Sequence, residues 1–574
     1  MLDLSHLKVL PSMQKTCGQC QSGFEVYDKD LAFYDRISPV FGGQKIAIPA
    51  PTLCPDCRWQ RRLAFRNERT LYHATCGLTG KSMLSMHRPG QPFPVYHITE
   101  WLSDKWDALQ YGRDFDFSRP FFEQFKELCD QVPHFNLFVD PQMDVNSEYT
   151  NCSDHSKNCY LISQAENNED SYYTRGINNC KDCCDCLRIQ QCELCYEGIN
   201  LFGCYRCMYC QDCDSSSDCA FSTDLKGCKN CFGCHGLVQK QYYFFNQPLS
   251  KEEWEKRVNA IELTPTAIEV IRAESERVRL SVPHRAVHAI QCEDVTGDNV
   301  VQCKNSHAVF DSKNLEECAY CYEIPSGGKY CYDYSTWGGK VELLYECGSC
   351  GDNVYNTLFT NGCWQNISNV IYCESCLPNV KDCFGCVGLR RAQYCIFNKQ
   401  YSKEEYEALV PRILEHMRKT GEWGEFFPVS ISPFAYNETV AHLLLPLRKE
   451  EVLARGWNWY EKDAAVGEYI GPDVSIPEKI TDVNDEISKQ ILRCKKTGKL
   501  YKVIPQELAF YRKMGLPIPL LSPEQRLLER VAKRNPRHLW TRACASCQQP
   551  TQTTYSPDRV EQVLCEGCYL KTIY

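Results

Sequence analysis

Between Cys159 and Phe244 the apolar and polar positions recur with a period of twelve residues, unlike the 3.6 of a helix or the 2 of a half-buried strand. One column reads Cys159, Ser171, Cys183, Cys195, Cys207, Cys219, Cys231 and Tyr243. Three places earlier stand Cys180, Cys192, Cys204, Ser216 and Cys228, and three places later Cys186, Gly198, Cys210, Ser222 and Cys234. Directly after the main column come Tyr160, Tyr172, Cys184, Tyr196, Met208, Ala220, Phe232 and Phe244, mostly large and apolar. The other positions are rich in Asn, Asp, Gly, Ser and Lys, which suit turns. Twelve residues are too few for a helical hairpin. They predict one turn of a narrow β-solenoid, with successive turns stacked at about 4.8 Å.

A column running down such an axis must be small and weakly polar, and a free cysteine packs as a small hydrophobe. Where these columns lose cysteine they gain Ser or Gly, which keeps the slot small but would empty a metal site. Packed thiol ladders are therefore the expectation for the central cysteines, with metal ligands and disulfides as the competing readings. A second, looser array follows. "KGCKNCFGCHGLVQKQYYFFNQPLSKEEW" (226–254) is echoed by "PNVKDCFGCVGLRRAQYCIFNKQYSKEEY" (378–406), and each "SKEE" predicts a helix N-cap with acidic first-turn residues. Cysteine pairs persist there at Cys318/Cys321, Cys347/Cys350, Cys373/Cys376 and Cys383/Cys386, at irregular intervals. Its tyrosine cluster, 320–337, is expected to flank the array, buried, rather than form an exposed binding face. Residues 101–130 read as a loop and an amphipathic helix with Phe121, Phe122 and Phe125 on its apolar side; 251–285 and "RKEEVLARG" read as helical.

Length and composition set the frame for these elements. At 574 residues the chain has room for several domains, and 43% hydrophobic content is ordinary for a globular protein. The net charge of -9 argues against a wholly basic nucleic-acid binder. The start has no basic, then apolar, leader pattern and no stretch nears the ~18 apolar residues of a membrane span, so a cytoplasmic protein is expected. In a reducing compartment, 40 cysteines point to metal and packed thiols more than to disulfides.

The ends of the chain carry CxxC pairs: Cys17/Cys20 with Cys54/Cys57, and Cys544/Cys547 with Cys565/Cys568. Two such knuckles bring four thiolates around one ion, the donor set of a structural zinc site. Two structural Zn2+ are expected. The two ends also align as copies: "DLAFYDR" matches "ELAFYRK", and "RWQRRLAFRNERTLYHATC" matches "RLLERVAKRNPRHLWTRAC" without a gap. Under this alignment Cys17/Cys20 face Cys494/Thr497, Cys544/Cys547 face Cys76/Thr79, and His97 faces Cys565, so each copy has kept a different one of two knuckle sites. Each also carries a cationic helix: Arg58, Arg61, Arg62, Arg66 and Arg69 in the first, Arg526, Arg530, Lys533, Arg534 and Arg537 in the second. Cations three and four apart share a helix face. They are read either as a contact for an RNA or DNA phosphate backbone or as partners of the chain's own carboxylates.

"PTLCPDCRWQRRLAFRNER", "YGRDFDFSRPFFEQF", "GEWGEFFP", "SPFAYNETVA" and "TTYSPDR" resemble cysteine-rich, zinc-ribbon proteins of unassigned function from uncultivated candidate-phyla bacteria. That resemblance implies a cytoplasmic bacterial protein with zinc ribbons and supplies no reaction. Thr79, Thr497 and Ser522 depart from a full set of four ribbons. No P-loop, GxSxG, HExxH or strand-borne GxGxxG appears, so the reading leans away from an enzyme. The expected fold is mainly β with α: two solenoid-like arrays flanked by zinc-ribbon or treble-clef-like modules and helical caps. The segments are a zinc module at 1–130, arrays at 144–250 and 286–410, a helical connector at 251–285, a helix, aromatic loop and linker at 411–490, and the second module at 491–574. The expected function is a zinc-binding scaffold that meets nucleic acid through the arginine helices and a protein partner through the arrays, without a membrane. The alternative is a metal-handling or thiol-redox protein.

Overall fold

The structure, a computed structural model, describes residues 12–325, 327–335, 341–349, 351, 353–461, 471 and 473–573. Cys350, the end of the tyrosine cluster, and residues 462–470 and 472 of the linker before the last module lie outside the described residues. The fold is mixed, mostly sheet with some helices. It falls into two compact units: residues 1–137 with 288–460, and residues 138–287 with 461–574. Each unit thus joins one terminal module to one cysteine-rich array, the N-terminal module to the second array and the C-terminal module to the first.

In the first array the strands pair in parallel at an offset of twelve, as in Ala165↔Ile177, Ile177↔Ile189 and Ile189↔Leu201. The offset continues through single bridges such as Tyr196↔Met208 and Met208↔Ala220 to Phe232↔Phe244. Beneath the twelve-residue period runs a stricter one of three. Every third residue from Cys152 to Phe245 has positive φ, without a break. Left-handed backbone costs roughly 1 kcal/mol or more for a residue with a Cβ, and Asn, Asp and Gly tolerate it best, which accounts for their abundance here. The residue after each such bend points inward, and all of these from Ser147 to Cys234 are buried.

Four inward columns result. Three are the cysteine columns, and the fourth is aliphatic but for one cysteine: Ala165, Ile177, Ile189, Leu201, Cys213 and Leu225. The reason is a hydrogen bond. A residue in a cysteine column turns its own N–H toward the interior, where no carbonyl waits, and a buried N–H needs a partner. The side chain twelve residues earlier provides it. The N–H of Cys192 donates to Cys180 Sγ at 3.4 Å and that of Gly198 to Cys186 Sγ at 3.4 Å. Where serine replaces cysteine the bond persists, from Cys228 N to Ser216 Oγ at 3.1 Å and from Cys234 N to Ser222 Oγ at 3.0 Å. Each thiol in turn faces carbonyls it can donate to, as Cys183 faces Lys181 O at 3.3 Å and Cys192 O at 3.6 Å. Ala165, Ile177, Ile189 and Leu201 pair strand to strand instead and need no side-chain acceptor; where that pairing stops, the Cys213 thiol accepts from Leu225 N. Thirty-eight of the described cysteines are free thiols, while Cys347 is disulfide-bonded.

The second array obeys the same rule with a longer repeat. Its offset is thirteen at Glu316↔Lys329, Lys329↔Glu342, Val354↔Ile367 and Ser368↔Lys381, returning to twelve at Lys381↔Gln393. The irregular cysteine spacing in the sequence is this extra residue. Both arrays end on the same device. An asparagine side chain mimics the peptide of a further strand: Asn246 accepts from His235 N and donates to His235 O, and Asn398 does the same with Val387. A serine-capped helix follows each, Lys251–Asn259 behind Ser250 and Lys403–Lys419 behind Ser402. The predicted 251–285 helix breaks in two, its second half, Pro265–Ser281, starting at a proline.

Swapping the acceptor tests this account of the cysteine. Cys180→Ser should change stability by less than about 1 kcal/mol, whereas Cys180→Ala strands the Cys192 N–H and should cost about 1–3 kcal/mol. Urea unfolding of the two variants compares them directly.

Candidate metal centres

The first centre is built from a hairpin and a helix start. Strands Ser12–Thr16 and Gly23–Tyr27 pair antiparallel, and between them Cys17 N donates to Ser22 O while Gln21 N, at φ 62, donates to Cys17 O. That tight knuckle aims Cys17 and Cys20 at one point. Cys54 caps helix Pro55–Leu63 and Cys57 lies in its first turn. The second centre repeats the plan. Strands Trp540–Ala543 and Pro550–Thr553 carry Cys544 and Cys547, and Cys565 with Cys568 open helix Glu566–Ile573. In each group the four sulfur atoms lie within 4.8 Å of one another. The Cys20–Cys54 and Cys547–Cys565 sulfurs are 3.7 Å apart. A tetrahedron of thiolates at about 2.3 Å from an ion has edges of about 3.8 Å, so both groups fit a metal ion.

The surroundings favour a thiolate at one cysteine of each centre, Cys54 and Cys544. Cys54 N donates to Cys17 Sγ and Cys565 N to Cys544 Sγ, each at 3.3 Å. The hydrogen bond from the Cys57 thiol, opposed by burial and aided by the Cys57 N–H, brings Cys54 down to about 5, and Cys57 is pushed up in exchange. At Cys544 burial pulls upward, but the N–H groups of Cys547, Cys565 and Ser546 outweigh it and bring that thiol down to about 6. The helix starts add their own positive ends. Cys20 and Cys547 are exposed, which gives each centre a side open to solvent.

Two further hairpins have the knuckle backbone without the donor set. Cys76 N donates to Lys81 O and Gly80 N to Cys76 O; Cys494 N donates to Lys499 O and Gly498 N to Cys494 O. The third-ligand bond survives too, with His97 N on Cys76 Sγ at 3.4 Å. Glu100 N and Trp101 N reach back to His97 O as Cys568 N and Tyr569 N reach back to Cys565 O. The alignment of the two modules thus extends to their hydrogen bonds. What is missing is ligands: Thr79, His97 and Glu100 stand where Cys547, Cys565 and Cys568 stand in the second copy. His97 Nδ1 instead meets Thr99 Oγ1 at 2.7 Å, and Glu100 pairs with Lys105. Among the described residues, metal-ligand side chains gather in threes or more at the two tetracysteine groups alone.

The arginines expected at a phosphate backbone lie inside their units. Helix Pro55–Leu63 buries Arg58, Arg61 and Arg62 against the second array. Arg58 grips Asp333 with two nitrogens, Arg62 lies 3.5 Å from Asp333 and 3.6 Å from Glu346, and Arg61 bridges Glu346 at 2.6 Å and Glu425 at 2.8 Å. In the other unit helix Pro523–Ala532 sets Arg526 and Arg530 on Asp185, each at 3.0 Å, and Arg526 on Glu507. Lys533 lies 3.7 Å from Glu197. Arg66 pairs with Glu68 at 2.5 Å beyond the helix end, and Arg69, Arg534 and Arg537 are half-buried with partners of their own. The continuous cationic face expected on each helix is therefore interrupted: both helices end early, and Arg58, Arg61, Arg62, Arg526 and Arg530 are taken up by the chain's own carboxylates, while Lys533 stays exposed. The sequence hid these partners because Asp185, Asp333 and Glu346 sit among turn residues more than 250 positions from the arginines they meet. Their one signal is a shared pattern, an acid after an aromatic or Cys and before an inward residue, at Asp185 and Glu197 in one array and Asp333 and Glu346 in the other.

The tyrosines follow the arginines inward. Tyr320, Tyr322, Tyr332, Tyr334 and Tyr345 are buried, with Phe33 stacked on Tyr332 at 3.9 Å and Tyr320 donating to Asp30 at 2.9 Å. In the other unit Phe510 and Tyr511 pack on Tyr196. No described helix is long and apolar enough to cross a membrane.

Two substitutions probe these contacts. Asp333→Asn leaves guanidinium charge buried without its counter-ion and should cost about 3–5 kcal/mol in denaturant unfolding. Thr79→Cys, His97→Cys and Glu100→Cys together should raise the metal content by one ion per chain, read by native mass spectrometry.

Set against known proteins, the chain matches no family model and no curated protein, so the chemistry rests on its own geometry.

Proposed function

We propose that this protein is a zinc-structured, cytoplasmic scaffold. In this reading each tetracysteine group holds one Zn2+, each array is a β-solenoid, the turns of the first having four three-residue sides, and the arrays offer their surfaces to a protein partner. The observation that carries it is the pair of four-thiol groups with a tetrahedral edge near 3.7 Å. Soft thiolate donors and this geometry favour zinc among cytosolic divalent ions. When bound, the ion would tie a hairpin to a helix start in modules whose cores are small, and so supply folding energy directly. Parallel pairing at offsets of eleven to thirteen residues along both arrays supports the solenoid reading, and free inward thiols suit a reducing compartment.

Nucleic-acid binding through the arginine helices finds no support, because the guanidinium groups that would neutralise phosphate are neutralised within the chain. The metal-handling alternative would draw the array thiols into metal binding, yet these thiols are engaged with backbone N–H and carbonyl groups. The resemblance to candidate-phyla zinc-ribbon proteins agrees with the scaffold reading and adds no chemistry to it.

Metal analysis of protein purified without added metal decides between them. Two zinc ions per chain are expected, and Cys20→Ser with Cys57→Ser should leave one. Roughly six or more ions, or the colour of an iron–sulfur cluster, would replace the scaffold with the metal-handling reading.

A further inference from the structure

The two arrays end on matching sequence, but their ends are covered unequally. In the second array the closing residues Cys395, Ile396, Phe397 and Asn398 are all fully buried. Their cover is the chain's own segment 108–121. Arg113 N donates to Phe397 O at 3.1 Å, Asn398 Nδ2 donates to Ala108 O at 3.1 Å, and Lys399 and Tyr401 both reach Asp114. Phe115 and Phe121 pack on Phe397 with ring centres 5.7 and 5.3 Å away. Gly112 passes so close to Asn398 that a Cβ there would lie 2.8 Å from its carbonyl oxygen.

The first array presents the same surface. Phe245 stands for Phe397, Asn246 for Asn398, Leu249 for Tyr401 and Trp254 for Tyr406. The asparagine makes the same bonds to its own array, and Asn246 N meets Cys234 Sγ at 3.4 Å as Asn398 N meets Cys386 Sγ at 3.4 Å. Yet Tyr243, Phe244, Phe245 and Asn246 are only half-buried, and helix Lys251–Asn259 buries none of its residues, where Lys403–Lys419 buries five. Val258, Ile261 and Leu263, which follow in the chain, cover Phe244 and Phe245 in part, but among the described residues no segment gives this end the backbone bonds that 108–121 gives the other. Lys229 and Lys240 stand exposed on the last two repeats.

We propose that this end of the first array docks a segment of another protein in which aromatic and acidic residues alternate, the chemistry of Asp114-Phe115-Asp116-Phe117. The covered end supplies the template. Aromatic rings of the incoming segment pack on Phe245, Leu249 and Trp254, and its backbone meets Phe245 O and Asn246 Nδ2, the counterparts of the atoms that Arg113 N and Ala108 O meet at the covered end. Gln247 and Leu249 replace the Lys399 and Tyr401 that hold Asp114, so its carboxylates meet the exposed Lys229 and Lys240 instead. This names the partner within the array-binding reading above. Because metal content is measured separately, either can fail without the other.

The test uses the full chain and a fluorescein-labelled peptide of residues 107–122, DALQYGRDFDFSRPFF, with a scrambled peptide as control. Saturable binding by fluorescence anisotropy is expected for the native order alone. Lys229→Glu with Lys240→Glu, and separately Leu249→Glu with Trp254→Glu, should each weaken it about tenfold or more. The exposed lysine pair decides if the second variant loses its far-ultraviolet circular dichroism. No saturable binding overturns the proposal, as does unchanged binding by the lysine variant, since the peptide would then sit elsewhere. Concentration-dependent self-association abolished by the same substitutions also overturns it, in favour of a second copy of this chain.

Discussion

A buried N–H without a carbonyl to meet is the constraint around which the arrays are organised. Bending the chain at every third residue makes the stacked repeat narrow, and narrowness turns part of the backbone inward. Leaving such a group unpaired costs about 1–3 kcal/mol, and each repeat would incur the cost several times. A thiol answers it in a small volume, accepting from the N–H of the next repeat and donating to a carbonyl. Serine does the same, and glycine keeps the space while using its neighbour's sulfur. Valine or alanine could fill the slot but could not accept the bond. Cysteine abundance in the middle of the chain is thus a consequence of backbone geometry.

A second constraint is charge, placed where little water can reach it. Both modules present arginines four residues apart, Arg58 with Arg62 and Arg526 with Arg530, and both arrays answer with an aspartate, Asp333 or Asp185. One repeat further along each array carries a glutamate, and here the units differ. Glu346 is met by Arg61, whereas Glu197 is met by Arg272 and Lys533. Glu529 occupies the place of Arg61 in the second module. A module seated on the other array would set Glu529 against Glu346. Buried ion pairs contribute little net stability against apolar replacements but are costly to mismatch, so this exchange of sign favours each module on its own array.

Much of this was legible in the sequence and some was not, for identifiable reasons. The twelve-residue columns, the knuckle cysteines and the serine caps are local patterns, and local patterns can be read from one chain. The fourth column carries no marker in the sequence, because isoleucine and leucine are common in any apolar stretch whereas the cysteines beside it are not. The period of three was visible only in part, since cysteine marks it and the left-handed residues between vary from Asn to Arg. The second array reads as loose because a thirteenth residue, present in several of its repeats, shifts the columns without disturbing the pairing. The arginine helices were found, but their destination depended on carboxylates in a distant part of the chain. Helical spacing says which cations share a face; it does not say what that face meets.

The asparagine that closes each array carries a consequence for length. Its amide completes the pairing that a further strand would otherwise supply, so termination is encoded at a single position, Asn246 or Asn398, and not by any property of the repeats before it. Such a ruler grows only in whole steps. Insertion of one complete repeat ahead of the asparagine would move the closing helix outward by one strand spacing, about 4.8 Å, with the same terminal bonds reformed. A single added residue is absorbed within a repeat, as the second array shows, but a whole further strand needs a whole further repeat of about twelve or thirteen residues.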